Sequence, residues 1–174
     1  LETILSSGFT DLYALDLNTM TWSLLNDGTG GPSARFWSTM SYDAASDRYL
    51  LFGGHVDPGV DNDVWSFDPT GNTWTKLSVG DTFTGNPLGC LGNDREIPKD
   101  YMSEDLTSPE RRSAGAMALL GEEIIIFGGE SDCSDHLDDV WAFNTTANTW
   151  AELLEARSGE SCARSGDDCQ CLCL

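Results

Sequence analysis

Positive charge is scarce in this chain. Nine Lys and Arg face 29 Asp and Glu across 174 residues, a formal net charge of −20, and a polyphosphate backbone or an anionic bilayer needs a basic footprint that is missing here. No nucleic acid partner and no membrane insertion are expected, since no apolar run approaches the roughly eighteen residues a spanning helix requires. Histidine is limited to His55 and His136. The chain also lacks a nucleophile elbow, a glycine-rich phosphate loop and a histidine placed beside a carboxylate as a general base. Hydrolysis and phosphoryl transfer therefore lack their parts, and no cofactor is expected.

What is present is repetition. A twelve-residue phrase occurs three times: Asp11 to Trp22 (DLYALDLNTMTW), Asp63 to Trp74 (DVWSFDPTGNTW) and Asp139 to Trp150 (DVWAFNTTANTW). Its first half alternates faces in the manner of a strand, with Trp65 and Phe67 on one side and Val64 on the other. Asp16, Asp68 and Asn144 then open a polar stretch, where a short side chain can bond the backbone two residues on and make a turn. A second strand leaves through Trp22, Trp74 or Trp150.

Upstream of each phrase lies an apolar run closed by glycine: ILSSG (4–8), LLFGG (50–54) and IIIFGG (124–129). Such a run reads as a buried strand that turns sharply or approaches another backbone where the glycines stand. Further upstream, Pro32-Ser33-Ala34-Arg35 and Pro109-Glu110-Arg111-Arg112 lead into a fourth strand. The unit is four strands: A (36–42, 113–119), B (48–52, 123–127), C (63–67, 139–143) and D (73–77, 149–153).

Paired glycines, an aromatic-bearing strand and a downstream tryptophan at fixed spacing resemble kelch repeats, whose period is about 50 residues. Asp11 and Asp63 are 52 residues apart, and Asp63 and Asp139 are 76 apart, so one unit carries an insertion. Strand A departs from the family in lacking the histidine that many kelch units carry after the arginine. The resemblance implies an all-β fold, a segment of kelch-type β-propeller built from four-stranded antiparallel blades. Residues 1–25 make a partial blade (strands B to D), 32–77 a complete blade, 78–108 an inserted loop, 109–154 a second complete blade, and 155–174 a cysteine-rich tail. Propellers have about four to eight blades. This stretch is therefore expected to belong to a longer polypeptide, or to be completed by protein partners or copies of itself that cover its open sheet edges.

In that arrangement the B–C and D–A loops share one face. Cys90 in the insertion and Cys133 in the next B–C loop then lie near one blade boundary, and a Cys90–Cys133 disulfide pinning the insertion is expected. Cys162, Cys169, Cys171 and Cys173 read as an oxidised segment of a secreted protein, the entry to a cysteine-rich module. The alternative is zinc, which the C-x-C-x-C spacing fits poorly. Asn144-Thr145-Thr146 is the one N-x-[ST] triplet and a glycan acceptor if the protein is extracellular, although the turn alone accounts for Asn144. Asp57, Asp61, Asp132 and Asp135 in the acid-rich B–C loops are candidate calcium ligands whose spacing does not follow a calcium loop. Asp63 and Asp139 occupy repeat positions and are expected to do structural work, such as bonding loop amides.

Galactose-oxidase-like copper enzymes share this architecture, and their metal site needs tyrosines and histidines that converge on one face. Tyr13, Tyr42, Tyr49 and Tyr101 with His55 and His136 supply too few, so a fragment of such an enzyme is the alternative reading. Plant specifier proteins, also kelch, take iron with Glu, Asp and His at four-residue steps; Glu130, Ser134 and Asp138 do not match. Five tryptophans fill repeat slots and are expected to pack between strands, whereas Trp37 falls outside them. The reading is a non-catalytic, extracellular structural or protein-interaction module with its binding face at the B–C loops and the 78–112 insertion. An intracellular kelch adaptor is a further alternative.

Overall fold

The computed structural model describes residues 9–56, 59–80, 107–131 and 136–154. All regular structure among them is β: β1 (Leu12–Asp16), β2 (Thr21–Asn26), β3 (Thr39–Asp43), β4 (Arg48–Val56), β5 (Gly59–Asp68), β6 (Thr73–Ser78), β7 (Ala116–Leu120), β8 (Glu123–Glu130), β9 (His136–Asn144) and β10 (Thr149–Leu154). Strands pair antiparallel with their sequence neighbours into a two-stranded sheet, β1-β2, and two four-stranded sheets, β3-β4-β5-β6 and β7-β8-β9-β10. These are blades I, II and III. The expected first strand of blade I, at 4–8, lies outside the described residues, as do the whole tail and most of the insertion.

Strands A begin later than their alternation indicates, at Thr39 and Ala116. The cause is local: Trp37 and Ala114 adopt left-handed backbone, with φ of 57° and 55°, which breaks an extended run for any residue with a Cβ. Ahead of the break, Phe36 bridges His55 and Ser113 bridges Glu130. Strands B run longer than expected, through their glycines. Gly53 and Gly54 have φ of 59° and 107°, and the β4–β5 register slips between Phe52 and Gly54, a bulge that bends the strand without ending it.

The close approach expected at these glycines is present, and at Gly53 it crosses between blades. A Cβ on Gly53 would stand 2.7 Å from the Arg112 carbonyl oxygen, and one on Gly54 3.0 Å from that of Phe36. Gly54 N–H donates to Arg112 O at 3.0 Å, Arg112 N–H to Asp61 O at 3.2 Å and Ala114 N–H to Trp37 O at 2.9 Å. Arg35 N–H reaches Phe9 O of blade I at 3.5 Å, so the seam repeats. At the outer end, Asn26 Nδ2 donates to Asn72 Oδ1 at 2.9 Å.

The C–D turns follow the chemistry of their first residue. Asp16 Oδ1 accepts from Asn18 and Thr19 N–H at 2.7 and 3.1 Å, Asp68 Oδ1 from Thr70 N–H at 2.8 Å, and Asn144 Oδ1 from Thr146 and Ala147 N–H at 3.0 and 2.7 Å. The core lies between blades II and III, where Leu50, Phe52, Val64, Ile124, Ile126 and Phe143 are buried and Trp150 packs against them. Trp150 meets Phe143 of its own blade at 4.8 Å between ring centroids and Phe52 of blade II at 5.5 Å. Trp74 meets Phe67 at 4.9 Å. Trp22, in the same slot of blade I, is 67% exposed.

Gly53→Ala and Gly121→Ala separate strain from collision, because both sites have positive φ but nothing lies within 4 Å of a Cβ on Gly121. Gly121→Ala is expected to cost about 1–2 kcal/mol in urea denaturation from backbone strain alone. Gly53→Ala is expected to cost about 2 kcal/mol more, because the seam must open. Equal losses would show that the seam gives way freely.

Candidate functional site

The rim that carries the B–C loops is built on a buried ionic latch in each complete blade. In blade II, Arg35 Nη1 donates to Asp63 Oδ1 at 2.6 Å and to the Gly53 carbonyl at 3.0 Å, while Nε donates to Ser33 O at 3.0 Å. Trp65 Nε1–H donates to the other carboxylate oxygen at 2.5 Å. In blade III, Arg112 grips Asp139 with both terminal nitrogens, the second at 2.8 Å, and bonds Gly128 O at 3.2 Å and Glu110 O at 2.8 Å. Trp141 Nε1–H completes it at 2.8 Å. The four charged side chains are 1–5% exposed.

Asp63 and Asp139 thus do structural work, but their side-chain partners are a guanidinium and an indole where loop amides were expected. Loop amides fall to Asp61, whose Oδ1 accepts from Asn62 and Asp63 N–H at 2.8 and 3.1 Å. Burial pushes the Asp61 carboxyl above its ordinary value, and the Asp63 charge pushes the same way against the opposing pull of Arg35. The latch was readable in principle: Arg35 and Arg112 stand 28 and 27 residues before their acids, a second, nearly constant spacing beside that of the twelve-residue phrase.

Lys76 adds a cation above blade II. Its Nζ lies 4.7 Å over the Trp65 ring and 3.4 Å from Asp63 Oδ2. At the inner end of the rim, His55 stacks on Phe36 at 4.6 Å and 13°, and Trp37 meets Phe36 edge-on at 4.9 Å. Trp37 is 60% exposed.

Of the residues singled out as ligands, Asp61 is in place and occupied with loop amides, while Asp57, Asp132 and Asp135 lie outside the described residues. Among the described residues no three His, Cys, Asp or Glu side chains group to hold a metal ion. All six cysteines, Cys90, Cys133, Cys162, Cys169, Cys171 and Cys173, and with them the expected disulfide, lie outside the described residues, as does Tyr101. Tyr42 and Tyr49 pair at 5.1 Å beside the A–B turn, and Tyr42 donates to Asp47 at 2.7 Å. They sit at the far end of β4 from His55, so the two residue types do not converge in blade II. Asn144 is half-buried at an outer turn, with exposed Thr146 two residues on. No helix among the described residues is long and apolar enough to cross a membrane.

With the geometry in place, the family model described as "Kelch motif" matches residues 50–78 and 111–153, strands B to D of blade II and strands A to D of blade III. Blades II and III each match the kelch motif. Human Kelch domain-containing protein 3 is 28% identical to it over 168 residues, covering 94% of this chain and 37% of that protein. The Thlaspi arvense N-(sulfonatooxy)prop-2-enimidothioate sulfolyase is 26% identical over 169 residues, covering 70% and 48%. Human Multiple epidermal growth factor-like domains protein 8 is 29% identical over 140 residues, covering 80% and 4%. The chain therefore spans less than half the length of each of these relatives.

Asp139→Leu strands the Arg112 guanidinium in the kelch core and is expected to cost about 3–5 kcal/mol in urea denaturation. Adding Arg112→Met removes the orphaned charge and is expected to recover at least half of that loss, or to restore folding if the single variant is unfolded. A double variant less stable than the single one contradicts the latch as described.

Asp61 supplies a pH prediction. A carboxyl whose folded pKa is raised stabilises the fold fully below its unfolded value, near 3.8, and that stability is lost as pH climbs through the folded value. Asp61→Asn keeps the amide bonds and removes the titration. Relative to the parent it is expected to gain stability in urea melts as pH rises above 4 and to level off beyond the folded value, and a flat or falling difference would show that the buried charge carries no cost.

Proposed function

We propose that this kelch segment is a non-catalytic protein-interaction module of an extracellular protein, presenting the B–C loop rim to its partner. The observation that carries the reading is the latch. Asp63 and Asp139, the acids repeated at the loop bases, are consumed by Arg35 and Arg112, which makes the rim a rigid platform and leaves these acids no role in chemistry. Loops held on a rigid scaffold are where recognition concentrates. The net charge of −20 favours a partner with a basic surface by steering its approach.

Several features support the extracellular placement together. The six cysteines are even in number and stand apart from every predicted strand, as in disulfide-bearing secreted proteins. Asn144-Thr145-Thr146 offers a glycan acceptor at an outer turn, away from the rim. One relative takes its name from epidermal growth factor-like domains, a disulfide-dense class, and the closely spaced Cys169, Cys171 and Cys173 follow the last blade here. The copper-oxidase and intracellular-adaptor readings have no comparable observation behind them.

Crosslinking mass spectrometry on the full-length protein, isolated with its partner under non-reducing conditions, tests both parts. Partner crosslinks are expected at Gly59–Asp63 and at Glu130–His136, with Cys90 linked to Cys133. Crosslinks confined to the C–D turns, at 17–20, 69–72 and 145–148, overturn the binding face. Six free thiols overturn the extracellular placement.

A further inference from the structure

Trp37 is the tryptophan that stands outside the repeat slots, and the fold leaves it exposed. Blade III places Ala114 at the equivalent point, with φ of 55° against 57°, and its N–H bonds the Trp37 carbonyl across the seam at 2.9 Å. A methyl group therefore suffices at this backbone position. The indole of Trp37 nonetheless stays 60% exposed, and among the described residues its one ring neighbour is Phe36, met edge-on. Phe36 is itself braced by His55 stacked on its face. A large, braced, exposed aromatic on strained backbone is an anchor awaiting a ligand, not packing.

The same spot carries an uncommitted acid. Ser113, the residue before Ala114, exchanges both backbone hydrogen bonds with Glu130, each at 2.9 Å, which brings Glu130 one residue pair away from Trp37. Glu130 occupies in blade III the position that His55 holds in blade II. Among the described residues no cation or donor engages its carboxylate. An aromatic face and a carboxylate side by side recognise a cation, since the ring quadrupole and the charge act in the same direction. The chain already makes this arrangement internally, with Lys76 over Trp65 and against Asp63.

We propose that Trp37 and Glu130, brought together where the lead-ins to β3 and β7 meet, take a lysine or arginine side chain of a protein partner. This deepens the reading of the chain as an interaction module and rests on it. Charge complementarity selects the occupant: with 29 acids against 9 bases in the chain, an acidic or phosphorylated segment is repelled from the same rim. Arginine suits the site best, because its planar guanidinium stacks on an indole while its edge bonds a carboxylate.

A random heptapeptide library displayed on phage and selected on the full-length protein tests this, with affinities of the enriched peptides measured by fluorescence anisotropy. Enriched peptides are expected to share Arg or Lys at one position. Trp37→Ala is expected to weaken them at least fivefold and Glu130→Gln at least threefold, while Trp37→Tyr stays within threefold of the parent. The melting temperature of Trp37→Ala should match the parent, because Ala114 already occupies the same geometry. Enriched peptides without a shared basic residue, or basic peptides that bind the Trp37→Ala protein as well as the parent, overturn the site. Either result leaves the interaction-module reading to its own crosslinking test, so the two fail separately.

Discussion

A guanidinium buried under each loop rim is the constraint around which the described structure is arranged. Two charges taken out of water are tolerated only when geometry and extra hydrogen bonds compensate, and here every element of the repeat supplies part of that compensation. The acid that opens the twelve-residue phrase supplies the carboxylate, and the aromatic two residues on supplies an indole N–H. The first glycine of each pair supplies a carbonyl, and the lead-in before strand A supplies the arginine with its own backbone acceptors. The glycines carry positive φ where strand B bends past this arginine, so the latch and the bulge are two aspects of one local geometry.

Much of this was legible in the residues. Alternation, apolar runs closed by glycine and the recurring tryptophan together locate the described strands, and the Asx-type turns form on Asp16, Asp68 and Asn144 as their chemistry dictates. The close approach anticipated at the paired glycines is present, and at Gly53 its partner is the backbone of the next blade. What pattern reading missed depends on conformation, not on composition. Nothing about Trp37 or Ala114 in a run of alternating residues announces left-handed backbone, so strands A were drawn too early. Glycine pairs end strands more often than they bend them, so strands B were drawn too short. The acids Asp63 and Asp139 read as loop binders because their arginines lie about half a unit upstream, 28 and 27 residues away, beyond any local window.

The same accounting separates structure from function on the rim. Residues that recur in both complete blades, the arginine, the acid, the indole donor and the glycines, are explained by the fold. Residues that differ between equivalent positions are not: Trp37 faces Ala114 in the alignment of blades, and His55 faces Glu130. A repeat protein thus carries its own control, because a sister blade shows which side chains the scaffold can do without.

Arg112 belongs to two blades at once. Its main chain is stitched to Gly54 and Asp61 of blade II, while its side chain is clamped inside blade III. A cut made between β6 and β7 for duplication, transplantation or truncation should therefore respect this staple. Severed on its downstream side, the guanidinium leaves its carboxylate behind, and severed on its upstream side, blade II loses the strand of backbone that closes its bulge. The natural unit of inheritance in such a chain is a sheet together with the lead-in of its successor, offset from the four strands that the eye picks out as a module.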